Sequence, residues 1–220
     1  MPDLARPAAV IFDLDGTLVD TVGARIAGWA DVFAESDIPA TSEQIEPMIG
    51  MDGRRLATDV ARAAGIELDR DRAESLDRRA GAMFDEHNRD PRPLPGAREC
   101  LSRLDAAGVT WAIATSSRAE QVKASVAALA LDRDPRIIDG SAVEHAKPAP
   151  DLLLLAADQL RVAPGNCWYV GDSTWDMRSA IAAGMRAIGV VAGAAVDAEA
   201  LSQAGADAVL DTLDHLELTA

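Results

Sequence analysis

Two aspartates separated by one residue follow a short apolar run near the start of the chain. The run extends from Ala8 to Leu14, and Asp13 and Asp15 lie at its end, just before Gly16. Because side chains alternate along a strand, the two carboxylates would project in the same direction. Carboxylates held so close repel one another unless a cation joins them. The pair therefore indicates a cation site at a strand end, although Asp and Gly are also ordinary turn residues.

A second pair of aspartates follows another apolar run. Residues 167–171 are apolar, Asp172 comes next, and Asp176 follows four residues later. If a helix begins near Ser173, both carboxylates face the same point. Helix capping would explain one of these acids but not both. The spacing therefore favours a shared ligand for the two carboxylates.

Two other segments carry groups that suit an anion. Thr115, Ser116 and Ser117 end a third apolar run, where a hydroxyl and free N–H groups at a helix N-terminus form an anion site or, alternatively, an N-cap. Lys147 precedes Pro148 and is one of only two lysines in the chain. A compact ammonium ion suits a phosphate group. These segments predict a phosphate site.

The elements that must position these residues alternate along the chain. Predicted strands cover residues 8–14, 110–115, 136–139, 167–171, 186–191 and 207–210. Helical patterns cover residues 96–107, 118–131, 151–160, 175–183 and 197–204. Alternation of this kind predicts an α/β fold with a doubly wound parallel sheet, Rossmann-like in architecture. Ligands in such sheets bind at the carboxyl ends of the strands, where all of the candidate residues are expected.

One region breaks this alternation. From about Leu18 to Arg92 the pattern is helical, without a strand candidate, and helices are predicted over residues 20–35, 42–49, 54–64 and 69–88. The region ends in a proline-rich joint at residues 90–96. We expect an α/β core of residues 1–18 and 94–220, interrupted by an all-helical cap domain of residues 19–93.

Charge and hydropathy restrict the classes of partner. The chain has 220 residues and a formal net charge of −15, and acidic proteins repel nucleic acids and anionic membranes. No signal peptide pattern and no run of 18 apolar residues occurs. We expect a cytoplasmic monomer or homodimer whose partner is a small phosphorylated metabolite rather than a nucleic acid or a membrane.

Taken in order, the four segments carry a family resemblance that covers nearly the whole chain. D-x-D-G-T at Asp13, the hydroxyl motif at Thr115, Lys147, and G-D-S-x-x-D at Gly171 resemble the haloacid dehalogenase superfamily of phosphohydrolases. The similarity is to the branch that contains phosphoglycolate phosphatase and β-phosphoglucomutase. It is specific for the family and poorly specific for the substrate.

The resemblance implies a mechanism and a role for each residue. Asp13 would be the nucleophile that forms an aspartyl-phosphate, and Asp15 the general acid and base. Mg²⁺ would be bound by Asp13, the backbone carbonyl of Asp15 and Asp172, with Asp176 acting directly or through a water molecule. Thr115, the Ser116 N–H and Lys147 would hold the phosphoryl oxygens. In the cap, Arg54, Arg55 and Arg25 are candidates for contacting the substrate, or are simply solvated.

Departures from relatives narrow the choice among activities. Residues 18–95 contain no lysine, which disfavours Schiff-base chemistry of the phosphonoacetaldehyde hydrolase type. Asp15 disfavours a dehalogenase, which lacks this second acid. Arg25 stands where β-phosphoglucomutases carry His, and Gly171 precedes Asp172 where they show Glu-Asp, so a phosphatase is favoured over a phosphosugar mutase.

Two alternatives remain open. One is the phosphosugar mutase. The other is a regulatory domain that accepts a phosphoryl group without turnover, because response regulators also use an Asp cluster, Thr and Lys on a parallel sheet. Such domains lack a helical cap and an acid two residues after the acceptor, so Asp15 and the insert favour an enzyme. Phosphoglycolate, small sugar phosphates and nucleotides all stay candidate substrates.

Overall fold

A parallel β-sheet forms the centre of the computed structural model, which describes residues 5–218. The strands are β1 (Ala9–Phe12), β2 (Val19–Asp20), β3 (Arg92–Pro93), β4 (Thr110–Ala114), β5 (Ile137–Ile138), β6 (Cys167–Gly171), β7 (Arg186–Val190) and β8 (Ala208–Leu210). The helices are α1 (Val22–Glu35), α2 (Ser42–Ile45), α3 (Gly53–Ala63), α4 (Arg70–His87), α5 (Ala97–Ala106), α6 (Ala119–Ala128), α7 (Asp151–Leu160), α8 (Thr174–Ala182) and α9 (Ala198–Gln203).

The main sheet has six parallel strands in the order β5–β4–β1–β6–β7–β8. From β1 the chain first builds the sheet outward through β4 and β5. It then returns to the other side of β1 and builds outward through β6, β7 and β8. The predicted doubly wound α/β architecture is therefore confirmed. The winding direction reverses at β1, and a crevice for a ligand forms at such a point, beyond the carboxyl ends of the strands.

Both faces of the sheet are covered by helices, which explains why its strands are apolar throughout. In β1, Val10 and Phe12 belong to an apolar cluster that includes residues of α5 and α6. Ala9 and Ile11 point to the opposite face and join a cluster that includes residues of α7 and α8. The alternation of side chains along a strand thus divides one core into two layers.

Helices α1 to α4 carry an apolar cluster of their own. Its members include Trp29, Phe33, Leu56, Leu76 and Met83. Because the segment 19–93 buries a separate set of apolar side chains, we propose that it is a cap domain inserted into the α/β core. It is called the helical insert below.

The prediction that residues 18–92 contain no strand is wrong at the ends of the helical insert. Strand β2 pairs with β3 in a two-stranded antiparallel sheet, with Val19 opposite Pro93 and Asp20 opposite Arg92. Strands of two residues are too short to show any alternation of apolar and polar side chains. The two connections between insert and core therefore run side by side.

Helix boundaries elsewhere differ from prediction by a few residues. The helix predicted over 42–49 ends at Ile45 and continues as a 3₁₀-helix, Glu46–Met48, where Pro47 removes a backbone N–H. None of the helices among residues 5–218 is long and apolar enough to cross a membrane.

Candidate active site

A cavity of about 380 Å³ lies between the carboxyl ends of the central strands and the helical insert. Seven of the eight residues predicted for the site line it: Asp13, Asp15, Arg54, Thr115, Ser116, Lys147 and Asp172. The eighth, Asp176, does not line the cavity. Its Oδ1 lies 2.7 Å from the ammonium group of Lys147, which does. Residues far apart in the sequence are brought together because parallel strands end at the same edge.

Asp13 follows β1 and is held between that strand and a buried lysine. Its N–H donates to the carbonyl of Val170 at 2.9 Å, which extends the pairing of β1 with β6. Lys147 Nζ donates to Asp13 Oδ1 at 2.7 Å, and the lysine is only 2% exposed. Burial alone would lower the pKa of Lys147, but the charges of Asp13 and Asp176 raise it above its ordinary value. The lysine is therefore a fixed positive charge beside the proposed nucleophile.

Three buried carboxylates surround this lysine. Asp13, Asp172 and Asp176 each offer an oxygen atom, and these oxygens lie within 4.8 Å of one another. Burial raises the pKa of Asp13 to about 7 against the attraction of Lys147. Burial and the charges of Asp176 and Asp13 raise the pKa of Asp172 well above its ordinary value. Ionising Asp13 and Asp172 together is therefore costly in the protein alone.

A divalent cation fits this set of residues. When ionised, the three carboxylates carry three negative charges, against one positive charge on Lys147. A divalent ion would balance the difference, and buried carboxylate oxygens are ligands that Mg²⁺ prefers. A cation bound there would offset the cost of ionising Asp13 and Asp172.

The loop after β1 is shaped to let Asp172 approach. Gly16 has φ +80°, and a Cβ placed on it would lie 2.3 Å from Asp172 Oδ2. A side chain at this position would therefore collide with the carboxylate as well as strain the backbone. Thr17 donates from Oγ1 to Asp172 Oδ1 at 2.9 Å. The Gly-Thr pair thus fixes Asp172 against the loop that carries Asp13.

Asp176 combines helix capping with the site. Its Oδ2 accepts from the N–H of Ser173 at 3.0 Å, and Ser173 Oγ accepts from the N–H of Asp176 at 3.2 Å, which forms a capping box at the start of α8. Its Oδ1 accepts from Tyr169 Oη at 2.9 Å and lies 2.7 Å from Lys147 Nζ. Asp176 therefore caps α8 and also lies beside Lys147.

Asp15 is bonded to three side chains, two from the start of α1 and one from the segment after β4. Thr21 Oγ1 donates to Oδ1 at 2.7 Å, Arg25 Nη2 donates to Oδ2 at 3.0 Å, and Ser117 Oγ also donates to Oδ2. Burial alone would raise the pKa of Asp15, but the charge of Arg25 and these hydrogen bonds lower it below its ordinary value. Asp13 and Asp15, two residues apart, thus have pKa values shifted in opposite directions.

The hydroxyl motif lies at the end of β4. Thr115 is 1% exposed, and its Oγ1 accepts from the N–H of Ser117 at 3.1 Å. Ser116 Oγ is buried, and within residues 5–218 it has no hydrogen-bond partner. Buried hydroxyls are normally bonded, so an unpaired one that lines a cavity is available to a ligand.

The three candidate arginines of the insert have different positions. Arg25 lies 3.5 Å above the ring of Phe84 and bonds Asp15, rather than standing free for a substrate. Arg54 lines the cavity and makes two hydrogen bonds to Asp52. Arg55 is more than half exposed and bonds Asp59 outside the cavity.

Three hydrogen bonds to the acids of the site were not predicted, although Ser117 belongs to the predicted hydroxyl segment. Thr21, Ser117 and Tyr169 each donate a hydrogen bond to an acid of the site. Thr21 and Arg25 are four residues apart at the start of α1, so both face Asp15. A helical spacing of polar residues directly after the first motif is the signal that could have found them.

Comparison with known proteins places the chain in a family. The sequence model of the haloacid dehalogenase-like hydrolase family matches residues 10–190 of this chain. The N-acetylmuramic acid 6-phosphate phosphatase of Pseudomonas aeruginosa is 30% identical over 94% of this chain and 91% of its own. A phosphoglycolate phosphatase of Xanthomonas campestris is 31% identical over 85% of this chain and 84% of its own.

A solved structure agrees with this assignment. A hydrolase from Pseudomonas syringae superposes with a TM-score of 0.89 and 32% identity, covering 94% of this chain and 96% of that one. The resemblance that the four motifs predicted is thereby confirmed. With motifs, fold and relatives in agreement, the chain belongs to the family of haloacid dehalogenase-like hydrolases.

Proposed function

We propose that this enzyme is a Mg²⁺-dependent phosphatase that hydrolyses phosphate monoesters of small organic molecules through an aspartyl-phosphate on Asp13. One observation carries the proposal. The Asp13 carboxylate lies in a cavity beside a buried lysine and two further buried acids, while Asp15 faces the same space. The phosphatase names of the relatives support the same reaction.

Asp13 supplies the attacking oxygen. Its Oδ1 is held by Lys147, so its second oxygen is the one directed at phosphorus. A bond forms from this oxygen to phosphorus, and the bond from phosphorus to the ester oxygen breaks. Asp13, Asp172 and the backbone carbonyl of Asp15 would hold Mg²⁺, with Asp176 contributing directly or through water. Bound there, the ion would reduce the repulsion between carboxylate and phosphate and orient them in line.

Asp15 acts as the general acid of the first step and as the general base of the second. In its protonated form it gives a proton to the leaving alkoxide and releases the alcohol. As a carboxylate it then takes a proton from a water molecule, whose oxygen attacks the phosphorus of the aspartyl-phosphate. Phosphate leaves and Asp13 is regenerated. Arg25, Thr21 and Ser117 stabilise the carboxylate form, which is the base of the second step.

Thr115, Ser116 and Lys147 face the transferring group. All three residues line the cavity, where the Thr115 hydroxyl, the Ser116 N–H and the Lys147 ammonium would donate to the phosphoryl oxygens. Donors fixed before the reaction stabilise the negative charge that develops on the phosphoryl oxygens.

The test compares wild-type protein with Asp13→Asn and with the control Asp20→Asn, an exposed acid in the same loop region. Hydrolysis of p-nitrophenyl phosphate is followed with Mg²⁺ and with a chelator. We expect Asp13→Asn to lose about a thousandfold or more in rate, Asp20→Asn to keep its rate, and the chelator to stop the reaction. Acid-quenched wild-type enzyme should carry one phosphoryl group that Asp13→Asn lacks.

Three outcomes would contradict the proposal. Equal rates for wild type and Asp13→Asn would remove Asp13 from the mechanism. A long-lived phosphorylated Asp13 without turnover would favour the regulatory domain, and conversion of β-glucose 1-phosphate into the 6-phosphate without free phosphate would favour the mutase.

A further inference from the structure

The cavity continues beyond the phosphoryl site into the helical insert, where the alcohol part of an ester must lie. Its volume of about 380 Å³ is within the range of small-molecule sites. The wall on this side includes Trp29, Asp52, Arg54 and Asp77 from the insert and Arg118 from the core. The chemistry of these groups decides which alcohols fit.

The cations of this cavity are already paired with carboxylates. Among residues 5–218, four cationic side chains line it, namely Arg25, Arg54, Arg118 and Lys147. Arg25 bonds Asp15, and Lys147 bonds Asp13 and Asp176. A carboxylate or a second phosphate on the substrate would have to displace one of these internal acids.

The two guanidinium groups nearest the alcohol are held by the insert's own acids. Arg54 donates from Nε and Nη2 to the two oxygens of Asp52, at 3.2 and 2.6 Å. Arg118 donates to Asp77 Oδ2 at 2.6 Å and to Glu74 at 3.2 Å. Paired guanidinium and carboxylate groups offer donors and acceptors together, as hydroxyl groups require.

The wall carries a net negative charge once Glu74 is included, which pairs with both guanidinium groups but does not itself line the cavity. Three carboxylates, those of Asp52, Glu74 and Asp77, face the two guanidinium groups of Arg54 and Arg118. Burial raises the pKa of Asp77, and Asp52 and Glu74 raise it further against the attraction of Arg118. An anionic group placed here would be repelled at short range.

Gly53 leaves space in the wall for the Asp77 carboxylate and for the ring of Trp29. A Cβ on Gly53 would lie 2.0 Å from Asp77 Oδ1 and 3.1 Å from the ring of Trp29, so glycine at this position lets the acid and the indole meet at the cavity. Trp29 supplies an apolar surface against which C–H groups can pack. Carboxylate acceptors beside an aromatic surface suit a molecule that alternates hydroxyl and C–H groups.

We propose that the leaving group accepted by this site is an uncharged polyhydroxylated alcohol, a polyol or sugar, whose hydroxyls donate to Asp52 and Asp77. The inference rests on the proposed phosphatase function and names its substrate class. Esters whose alcohol carries a carboxylate, phosphoglycolate among them, are disfavoured by the same wall.

The experiment uses two pairs of esters matched in size but not in charge. Glycerol 3-phosphate is compared with 3-phosphoglycerate, and 2-hydroxyethyl phosphate with phosphoglycolate; a hexitol phosphate and p-nitrophenyl phosphate complete the set. We expect kcat/KM to be at least about tenfold higher for the hydroxyl member of each pair, since burying an unpaired charge is costly.

The variant Asp77→Asn, with Asp71→Asn as its control on the exposed part of α4, assigns the preference to the wall. Asp77→Asn should lower kcat/KM on the hexitol phosphate by about tenfold and bring the ratio of kcat/KM between the hydroxyl and the carboxylate ester of each pair closer to one. Asp71→Asn should change none of these values. Thermal melting of each variant confirms that it is folded.

The inference would be overturned if kcat/KM were equal or higher on the carboxylate member of each pair. It would also be overturned if Asp77→Asn left the ratio of kcat/KM between the hydroxyl and the carboxylate ester unchanged. In either case, Asp13-dependent hydrolysis of p-nitrophenyl phosphate would leave the proposed function standing. If wild-type enzyme hydrolysed none of the esters, both proposals would fall together.

Discussion

Arg25 reaches from the first helix of the insert to the carboxylate of Asp15. It shares Asp15 Oδ2 with Ser117, while Thr21 holds the other oxygen. Proton transfer depends on the position of the acid. Arg25 is therefore a positioning residue, and its loss should slow hydrolysis most for esters whose leaving group needs a proton.

We expect Arg25→Gln to slow hydrolysis of an alkyl phosphate by about a hundredfold, and hydrolysis of p-nitrophenyl phosphate far less. The nitrophenolate ion leaves without protonation, whereas an alkoxide does not. Steady-state rates on both esters measure the difference. Arg55→Gln, an exposed arginine outside the cavity, is the control, and an equal loss on both esters would contradict the assignment.

Lys147 is the buried partner of two acids, so its removal should cost stability as well as activity. Lys147→Met leaves Asp13 and Asp176 without their cation, and breaking a buried pair in this way typically costs about 3–5 kcal/mol. Urea unfolding in the absence of Mg²⁺ measures the loss. The chain's other lysine, Lys123, is exposed, and Lys123→Met should change the free energy of unfolding by less than about 0.5 kcal/mol.

The acids of the site could be predicted because each follows an apolar strand, where the type of residue and its place in a parallel sheet suffice. The partners of those acids could not. Tyr169 is buried within β6 and reads as one more apolar position, and Arg25 reads as a solvated helix residue. Their roles depend on how the insert and the sheet pack, which local patterns do not contain.

At the scale of elements, the contact of the insert with the core depends on a short loop before α3. Gly50 in this loop has φ +93°, and a Cβ on it would lie 2.7 Å from Oγ of Ser173, the N-cap of α8. Trp175 in α8 donates from Nε1 to the carbonyl of Pro47 at 3.0 Å. The loop thus rests on the segment that carries Asp172 and Asp176.

We expect Gly50→Ala to lower kcat/KM on phosphate esters by about tenfold, because the added methyl group keeps the loop from resting on Ser173. Gly65→Ala is a matched control. Gly65 also has positive φ, +76°, but a Cβ on it would meet nothing within 4 Å. Both variants should lose stability from backbone strain, measured by thermal melting, whereas equal kcat/KM for the two would show that the contact is unimportant.

Elements longer than about four residues could be predicted from apolar periodicity, and residues 167–171 and 151–160 have the predicted bounds. Although the short strands β5 and β8 lie within the predicted strands 136–139 and 207–210, the two-residue strands β2 and β3 were missed. Their pairing arises from the return of the chain to the core, which is a long-range event.

Considered as a whole, the molecule combines an acidic chain with a buried site whose acids exceed its cations. The net charge is −15, and Asp13 and Asp172 are difficult to ionise without a further positive charge. A cation bound only by the folded state should therefore raise stability, by an amount that grows with the logarithm of its concentration above the dissociation constant.

Mg²⁺ at one hundred times its dissociation constant should raise the free energy of unfolding by about 2.7 kcal/mol. The melting temperature is compared with and without Mg²⁺ at matched ionic strength, so that general screening of the net charge is excluded. Asp172→Asn should abolish most of the increase. An increase that Na⁺ reproduces at the same ionic strength would contradict a specific site.

The pairing of β2 with β3 brings the entry and exit of the helical insert together, Val19 against Pro93. The core and the insert are therefore connected at one place, and all six strands of the main sheet lie outside residues 19–93. A tight turn joining those two positions would close the chain without disturbing any strand of the sheet. Exchange of the insert at that place would keep every strand of the main sheet, but it would remove Thr21 and Arg25, which bond Asp15.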